Sequence, residues 1–321
     1  MPLSEFNLIR DYFANLTHGR EDVVLGVGDD CALLTPPPDR ELVITSDTLV
    51  EGVHFQQGTD PEALGHKSLA VNLSDLAAMG AEPAWVTLAL TLPHPHSDWL
   101  ESFSRGFSSL ATKYKVALVG GDTTRGPLSI TVTAHGFVQL GSALRRSGAK
   151  DGDLIFITGT LGDAALALLA RQGNYSDTSG QEELEQSLDR PQPRLAVGNA
   201  LIGLANSAID VSDGLVADLG HICEQSGVGA RVLLNQIPIT SQVKEHLLQG
   251  GNWNTVIAGG DDYELCFTLS PEKLDLLDGI RHSLDCELTQ IGEIVTEPGV
   301  SCILADGTVI DNSFSGYQHF T

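Results

Sequence analysis

Apolar positions recur along this chain with two periods, one of three to four residues and one of two, and the switches between them outline the expected elements. Phe6, Ile9, Phe13 and Leu16 fall on one face of an amphipathic helix that Ser4 can cap and Gly19 can end. Strand-like runs follow at residues 23–27, 42–46, 85–92, 116–119 and 129–138. In the last of these Ile130, Val132 and Ala134 alternate with Thr131, Thr133 and His135, so one face is apolar. Two helices are expected among the strands. One spans 61–79, with Asp60 as its cap and Pro61 in its first turn, and the other spans 97–114.

The second half opens with a strand at 154–158, followed by helices near 161–170, 193–206 and 213–225. Further strands are expected at 230–234, 264–269, 288–294 and 301–304. Residues 172–190 are polar and almost without apolar positions, which reads as an exposed excursion. Residues 141–152 are glycine-bearing and basic, with Arg145, Arg146 and Lys150, and read as a connector. A chain of 321 residues exceeds the usual size of one core, so two domains are expected, 1–145 (α/β) and 146–321 (α+β).

Charge changes this picture in one respect. Acidic residues outnumber Lys and Arg by 42 to 18, a formal charge of −24 that repels polyanions and argues against a nucleic-acid partner. The five cysteines are scattered, with no close pair suited to zinc, and read as buried free thiols in a reducing cytoplasm. Glu5, Arg10 and Asp11 interrupt the first apolar residues, which argues against a signal peptide or a membrane span.

The acidic residues matter by placement. Gly26-Val27-Gly28-Asp29-Asp30 combines glycines that permit a tight turn with two carboxylates at its tip. Thr45-Ser46-Asp47 is expected to close the second strand, setting hydroxyls beside a carboxylate. Asp75, in Asn72-Leu73-Ser74-Asp75, projects from an apolar stretch of helix. Gly120-Gly121-Asp122-Thr123-Thr124 is expected as a turn after 116–119, where the backbone can approach a ligand closely. Asp210, Ser212 and Asp213 precede a helix whose first amides favour phosphate.

Each of these has an ordinary structural alternative: a glycine-aspartate turn, a buried aspartate bonding amides, a helix cap. Together, clustered carboxylates repel unless cations neutralise them, and oxygen-only donors suit magnesium better than zinc. Magnesium in turn bridges nucleotide phosphates. Familiar nucleotide motifs are missing. Gly65-His66-Lys67-Ser68 lacks the spacing of a P-loop, and Cys31 stands where a dinucleotide fingerprint has its third glycine.

In this order the motifs resemble those of the thiamine-monophosphate kinase family, within the superfamily of aminoimidazole ribonucleotide synthetase and selenophosphate synthetase. The resemblance is carried by GVGDD (26–30), TSDTLVEGVHF (45–55), NLSDLAAMGAEP (72–83), GGDTT (120–124), IDVSDGL (209–215) and GGDDYEL (259–265). It implies a two-domain ATP-binding synthetase-like fold, α/β plus α+β, whose N-terminal mixed sheet forms the interface of a homodimer. It further implies that Asp30, Thr45, Ser46, Asp47, Asp75, Asp122, Asp210 and Asp213 hold several Mg2+ ions. Gly121, Asp122, Arg146 and Ser212 would contact ATP, and His54, Asp261 and Tyr317 would line the thiamine phosphate site. The family pattern has glutamate where Asp261 stands.

The implied reaction is direct in-line transfer of the ATP γ-phosphoryl group to thiamine monophosphate, giving thiamine diphosphate and ADP. Direct transfer requires no enzyme nucleophile, and no strong general base is needed either, because the acceptor phosphate is already largely anionic at neutral pH. Two rivals stay open at this point. Selenophosphate synthesis would need a reactive Cys and Lys early in the chain, whereas the first lysine is Lys67. A non-catalytic nucleotide or metal sensor would keep the acidic pocket without releasing ADP.

Overall fold

Asp60 accepts hydrogen bonds from the amides of Glu62 and Ala63, both at 3.2 Å, and so caps the helix Pro61–Ala78 where the sequence places its start. This helix crosses a second, Ser97–Lys113, with backbones in contact. A Cβ at Gly65 would collide with the Phe103 carbonyl, and one at Gly106 with that of Glu62. Gly65-His66-Lys67-Ser68 is therefore the buried interior of a helix, and its glycine is there for packing.

The computed structural model describes residues 5–14, 16, 19–175, 180–310 and 316. The chain forms two compact units, one of residues 1–76 and 81–141, the other of 77–80 and 142–321. The expected domain boundary at 145 falls a few residues after this division.

In the first unit, β1 (Val23–Leu25) and β2 (Leu33–Leu34) form a short antiparallel ribbon. Strands β3 (Arg40–Val50), β4 (Glu82–Leu92), β5 (Ala117–Arg125) and β6 (Ser129–Gln139) form a mixed sheet in the order β3-β6-β4-β5. Only the β4/β5 pair is parallel. Ile130, Val132 and Ala134 are fully buried, as their alternation requires.

Two strands outrun their sequence signals. Ladder pairing with β6 carries β3 on to Val50, so Thr45-Ser46-Asp47 lies within a strand and not at its end. Pairing with β4 likewise places Gly120–Thr124 inside β5, opposite Thr87–Thr91, and not in a turn beyond it. Gly121 is needed for this pairing. Its φ is +150°, and a Cβ there would collide with the Leu88 carbonyl. The N-terminal helix is also shorter than expected: Glu5–Leu8 passes into a wide turn, Ile9–Phe13, closed by a 2.8 Å bond from the Ala14 amide to the Ile9 carbonyl. Its expected cap, Ser4, lies outside the described residues.

The second unit holds β7 (Leu154–Thr158), β8 (Ser207–Val211), β9 (Gly229–Leu233), β10 (Glu264–Leu269), β11 (Leu288–Val295), β12 (Gly299–Ile303) and β13 (Val309–Ile310). Their order is β13-β12-β9-β11-β7-β10-β8, antiparallel except for β9/β12. Ile155, Ile157, Ile209 and Val211 pack with Leu215, Leu219 and Ile222 of the helix Leu215–Ser226.

The polar stretch 172–190 is not simply an excursion. It contains the helix Gln181–Asp189, whose Leu184 and Leu188, one turn apart, are buried, and Asp189 pairs with Arg171. The helix expected at 193–206 is confined to Leu195–Ala200, and β8 follows it unannounced. Cys223, Cys266 and Cys302 are buried free thiols as expected, whereas Cys31 is exposed.

Candidate functional site

In the first unit the candidate residues are carried by the ribbon, by β3 with the helix beside it, and by β5. The ribbon turns through Gly28, at φ +124°, and presents Asp29 and Asp30 exposed at its tip, where Asp29 Oδ1 accepts from the Asp30 amide at 2.8 Å. On β3 the pleat separates the neighbouring candidates. Thr45 and Asp47 face the helix Pro61–Ala78: the Thr45 hydroxyl donates to Asp75 Oδ2, and the Asp47 amide donates to Asn72 Oδ1 at 3.1 Å. Ser46 points the opposite way, its hydroxyl 2.9 Å from that of Thr133. Asp75 is half-buried between the buried Ser74 and Leu76.

Beyond β3 the chain turns, and the Val50 amide donates to His54 Nδ1 at 3.0 Å, which leaves the neutral ring protonated on Nε2. Asp122 is exposed on β5, at the far side of the sheet from β3. Three strand spacings separate Asp47 from β5, roughly 14 Å, so no single ion joins Asp47 and Asp122 of one chain. Among the described residues, no three acidic, His or Cys side chains stand close enough to hold a metal ion by themselves.

In the second unit Asp210 is buried on β8 opposite Leu265. Ser212, Asp213 and Gly214 then lead into the helix Leu215–Ser226. The amides of these three residues donate to Asp218 Oδ2 at 3.0, 3.0 and 3.1 Å. No side-chain cap bond is made at Gly214, where the helix begins; the Asp218 side chain of its first turn ties down the loop that leads into it. Burial pushes the Asp218 carboxyl up to about 7, outweighing the lowering effect of the amides.

The folded chain thus holds a proton at Asp218 that the unfolded chain, with a carboxyl near 3.8, releases. Stability contributed by that proton is lost as pH rises from about 4 to about 7. Burial raises Asp163 in the same sense. The melting temperature of the wild type is therefore expected to fall relative to that of Asp218→Asn across this window, which thermal melts at successive pH values would show.

The segment before β10 carries the other candidate. The Asp261 amide donates to the Ser212 carbonyl at 2.9 Å and the Tyr263 amide to that of Val211 at 2.8 Å, pinning the segment to the end of β8. Asp261 and Tyr263 adopt positive φ, +69° and +51°, a strained conformation for residues with a Cβ. The Tyr263 hydroxyl donates to Asp261 Oδ1 at 3.0 Å and so orients the carboxylate that is one methylene shorter than the family pattern. Behind it, the half-buried Asp262 accepts from the Gly162 amide at 3.1 Å, and burial raises its pKa. Glu264, at the head of β10, accepts from Thr158 and from Arg194, whose Nε lies 2.6 Å from Oε2.

Arg146 is exposed in the connector. Tyr317 lies outside the described residues. The sequence reading missed Asp218, Tyr263 and the Arg194–Glu264 pair. Tyr263 and Glu264 stood inside the quoted motif GGDDYEL, whereas Arg194 carried no signal at all.

Among the described residues no helix is long and apolar enough to cross a membrane. Residues 28–138 match the family model of the AIR synthase related protein N-terminal domain, and 150–305 that of its C-terminal domain. The chain is 48% identical to thiamine-monophosphate kinase of Escherichia coli (strain K12) over 322 aligned residues, covering 100% of this chain and 99% of that one. The crystal structure of thiamine-monophosphate kinase from Stenotrophomonas maltophilia K279a aligns with a TM-score of 0.86 at 48% identity, covering 97% of this chain and 99% of that chain. AaThiL complexed with AMPPCP and TMP aligns with a TM-score of 0.78 at 32% identity, covering 99% and 97%.

Proposed function

This chain belongs to the thiamine-monophosphate kinase family, among the AIR synthase related proteins, and from that premise we propose that it transfers the γ-phosphoryl group of ATP to thiamine monophosphate. The products are thiamine diphosphate and ADP. The observation that carries this function is the end-to-end likeness to thiamine-monophosphate kinases, one of them complexed with AMPPCP and TMP. Selenophosphate synthesis and mere nucleotide sensing have no comparable support.

The donor chemistry fits magnesium. Asp30 and Asp122 are exposed carboxylates, and Thr45 and Asp75 form a hydroxyl-carboxylate pair beside Asp47. Magnesium keeps several waters and takes one or two protein carboxylates together with substrate phosphates, so a site needs no cluster of three. Asp30, Thr45, Ser46, Asp47, Asp75, Asp122, Asp210 and Asp213 are the residues that would hold several such ions, with Asp47 and Asp122 of one chain serving different ions. Ser46 would serve through its main-chain oxygen or after leaving Thr133. Bound magnesium would offset the repulsion between the two phosphates.

The protein's own part is positioning. Gly121 lets the backbone of β5 come close to the triphosphate, Asp122 and Ser212 contact it, and Arg146 supplies a counter-charge. His54, in its Nε2-protonated form, and Asp261, held by Tyr263, orient the acceptor, with Tyr317 as the third residue of that set. No group of the enzyme becomes phosphorylated.

A homodimer in the cytoplasm completes the proposal. On the edge strand β3, Leu42 and Ile44 are 47% and 57% exposed on the face turned away from the helix, an apolar edge that a second copy would cover. In sedimentation the wild type is expected at twice the chain mass and Ile44→Asp at one. A monomeric wild type would remove the dimer from this account.

Incubation with ATP and magnesium tests the function itself. ADP should accumulate rapidly only when thiamine monophosphate is present, and chelation of magnesium should stop it. ADP release that ignores the acceptor would point to a simple ATPase.

A further inference from the structure

The ribbon that carries Asp29 and Asp30 is too short to be stable alone. Its ladder joins only Val23 to Leu34 and Leu25 to Leu33, and a two-stranded hairpin needs a surface to pack on. That surface is the sheet face around Trp85, Ala117, Val119 and Phe137, against which Val23, Ala32 and Leu34 pack. Apolar contact of this kind is non-directional, so it holds the ribbon down without aiming it. Direction comes from the ribbon's base.

Asp22 is the junction there. Its carbonyl accepts from the Thr35 amide at 2.8 Å and closes the ribbon. Its carboxylate takes Arg20 through Nε at 2.9 Å and Nη2 at 2.8 Å, a bidentate pair that fixes geometry as well as charge. The same carboxylate accepts from Trp85 Nε1 at 3.1 Å. Trp85 lies on β4 and is buried, so its N–H needs a partner, and Asp22 supplies it from 63 residues away. Arg20 Nη1 in turn donates to the Lys115 carbonyl at 2.9 Å. Lys115, in the left-handed region at φ +56°, forms the turn between the helix Ser97–Lys113 and β5.

One carboxylate therefore ties the ribbon to β4 directly and, through Arg20, to the turn that leads into β5. The Arg20 hydrogen bonds hold the Asp22 carboxyl below the usual carboxylate range, so the clamp is charged at neutral pH. Asp22 stands at the opposite end of the ribbon from Asp30 and touches no residue assigned to magnesium or substrate above.

We propose that Asp22, clamped by Arg20 and Trp85, is a positioning residue that fixes the ribbon on the sheet and so holds the Asp30 carboxylate where magnesium would bind. The proposal rests on the assignment of Asp30 to magnesium in the function above. It adds to that assignment the group that aims the ribbon.

The experiment uses the full chain as wild type, Asp22→Ala, Trp85→Phe, Asp30→Asn and the double variant Asp22→Ala/Asp30→Asn. Trp85→Phe removes the indole donor but keeps a ring against Phe137, so it carries the test if Asp22→Ala fails to fold. Asp22→Ala is expected to raise the free Mg2+ that gives half the maximal rate about tenfold, the low end for losing a group that orients a metal ligand. Trp85→Phe should act in the same direction. KM for thiamine monophosphate should stay within about twofold, and in the Asp30→Asn background Asp22→Ala should add less than about twofold, because its effect passes through Asp30. Without metal or substrates, hydrogen exchange of the Thr35 amide should quicken in both clamp variants.

An unchanged Mg2+ requirement or unchanged exchange would overturn the proposal. So would a full shift in the Asp30→Asn background, or an equal rise in KM for thiamine monophosphate, since either makes Asp22 a general stabiliser. A wild-type Mg2+ requirement in Asp30→Asn would remove Asp30 from the metal site and the proposal with it. Failure of the wild type to make thiamine diphosphate would instead strike the phosphotransferase function, and exchange of the Thr35 amide would still decide whether Asp22 fixes the ribbon.

Discussion

Asp122→Asn is expected to lower kcat for thiamine diphosphate formation by roughly 10²- to 10³-fold, the range seen when one preorganised group that stabilises transition-state charge is lost. Asparagine keeps the shape and one carbonyl oxygen but removes the charge. Asp122 is exposed on β5, so the substitution should leave the sheet intact and the melting temperature close to that of the wild type. Initial rates at saturating ATP and acceptor, with thermal melts of the same samples, check both halves. Turnover near the wild-type rate would remove Asp122 from the site.

The second large effect is on stability. Arg194 and Glu264 form an ion pair at 16% and 8% side-chain exposure, 70 residues apart in sequence. Burial works against the guanidinium's charge, yet the Glu264 hydrogen bonds and charge hold the Arg194 pKa above its usual value. Arg194→Ala strands a buried carboxylate and is expected to destabilise the chain by about 3–5 kcal/mol. Replacing both residues by leucine should cost less than the single change, because no charge is then left unpaired. Glu264 begins β10 directly after Asp261, Asp262 and Tyr263, so the pair also anchors the segment proposed above to orient the acceptor. Arg194→Ala should therefore raise KM for thiamine monophosphate more than KM for ATP. Denaturant unfolding and steady-state kinetics read these outcomes.

Elements with local signals were legible in the sequence. Asp60 and Pro61 mark the start of a helix, and the alternation in β6 fixes which residues are buried, because capping and pleat act within a few residues. What was not legible depends on distant partners. Nothing near GGDTT says that the chain stays in register with β4 through two glycines, so a strand reads as a turn. Leu184 and Leu188 are too few to announce a helix until Asp163–Arg171 lies beside them. β8 is short, and Asp210 interrupts its apolar residues, although the whole strand is buried.

The candidate site divides in the same way. The acidic residues were found from composition and turns, and the ordered motifs named their chemistry. Their orientation came only from the fold. The pleat sets Ser46 on the opposite face from Asp47, and Asp218 ties down the amides of residues 212–214 ahead of the helix. Tyr263 supports Asp261 through a local hydrogen bond, but the positive φ at both residues that permits it has no counterpart in residue type.

Transfer from ATP to thiamine monophosphate is tested most directly with ATP labelled in its γ-phosphoryl group. The label should appear in the terminal phosphate of thiamine diphosphate in step with ADP, with none retained on the protein. Label released as free phosphate, or held on the polypeptide, would contradict it.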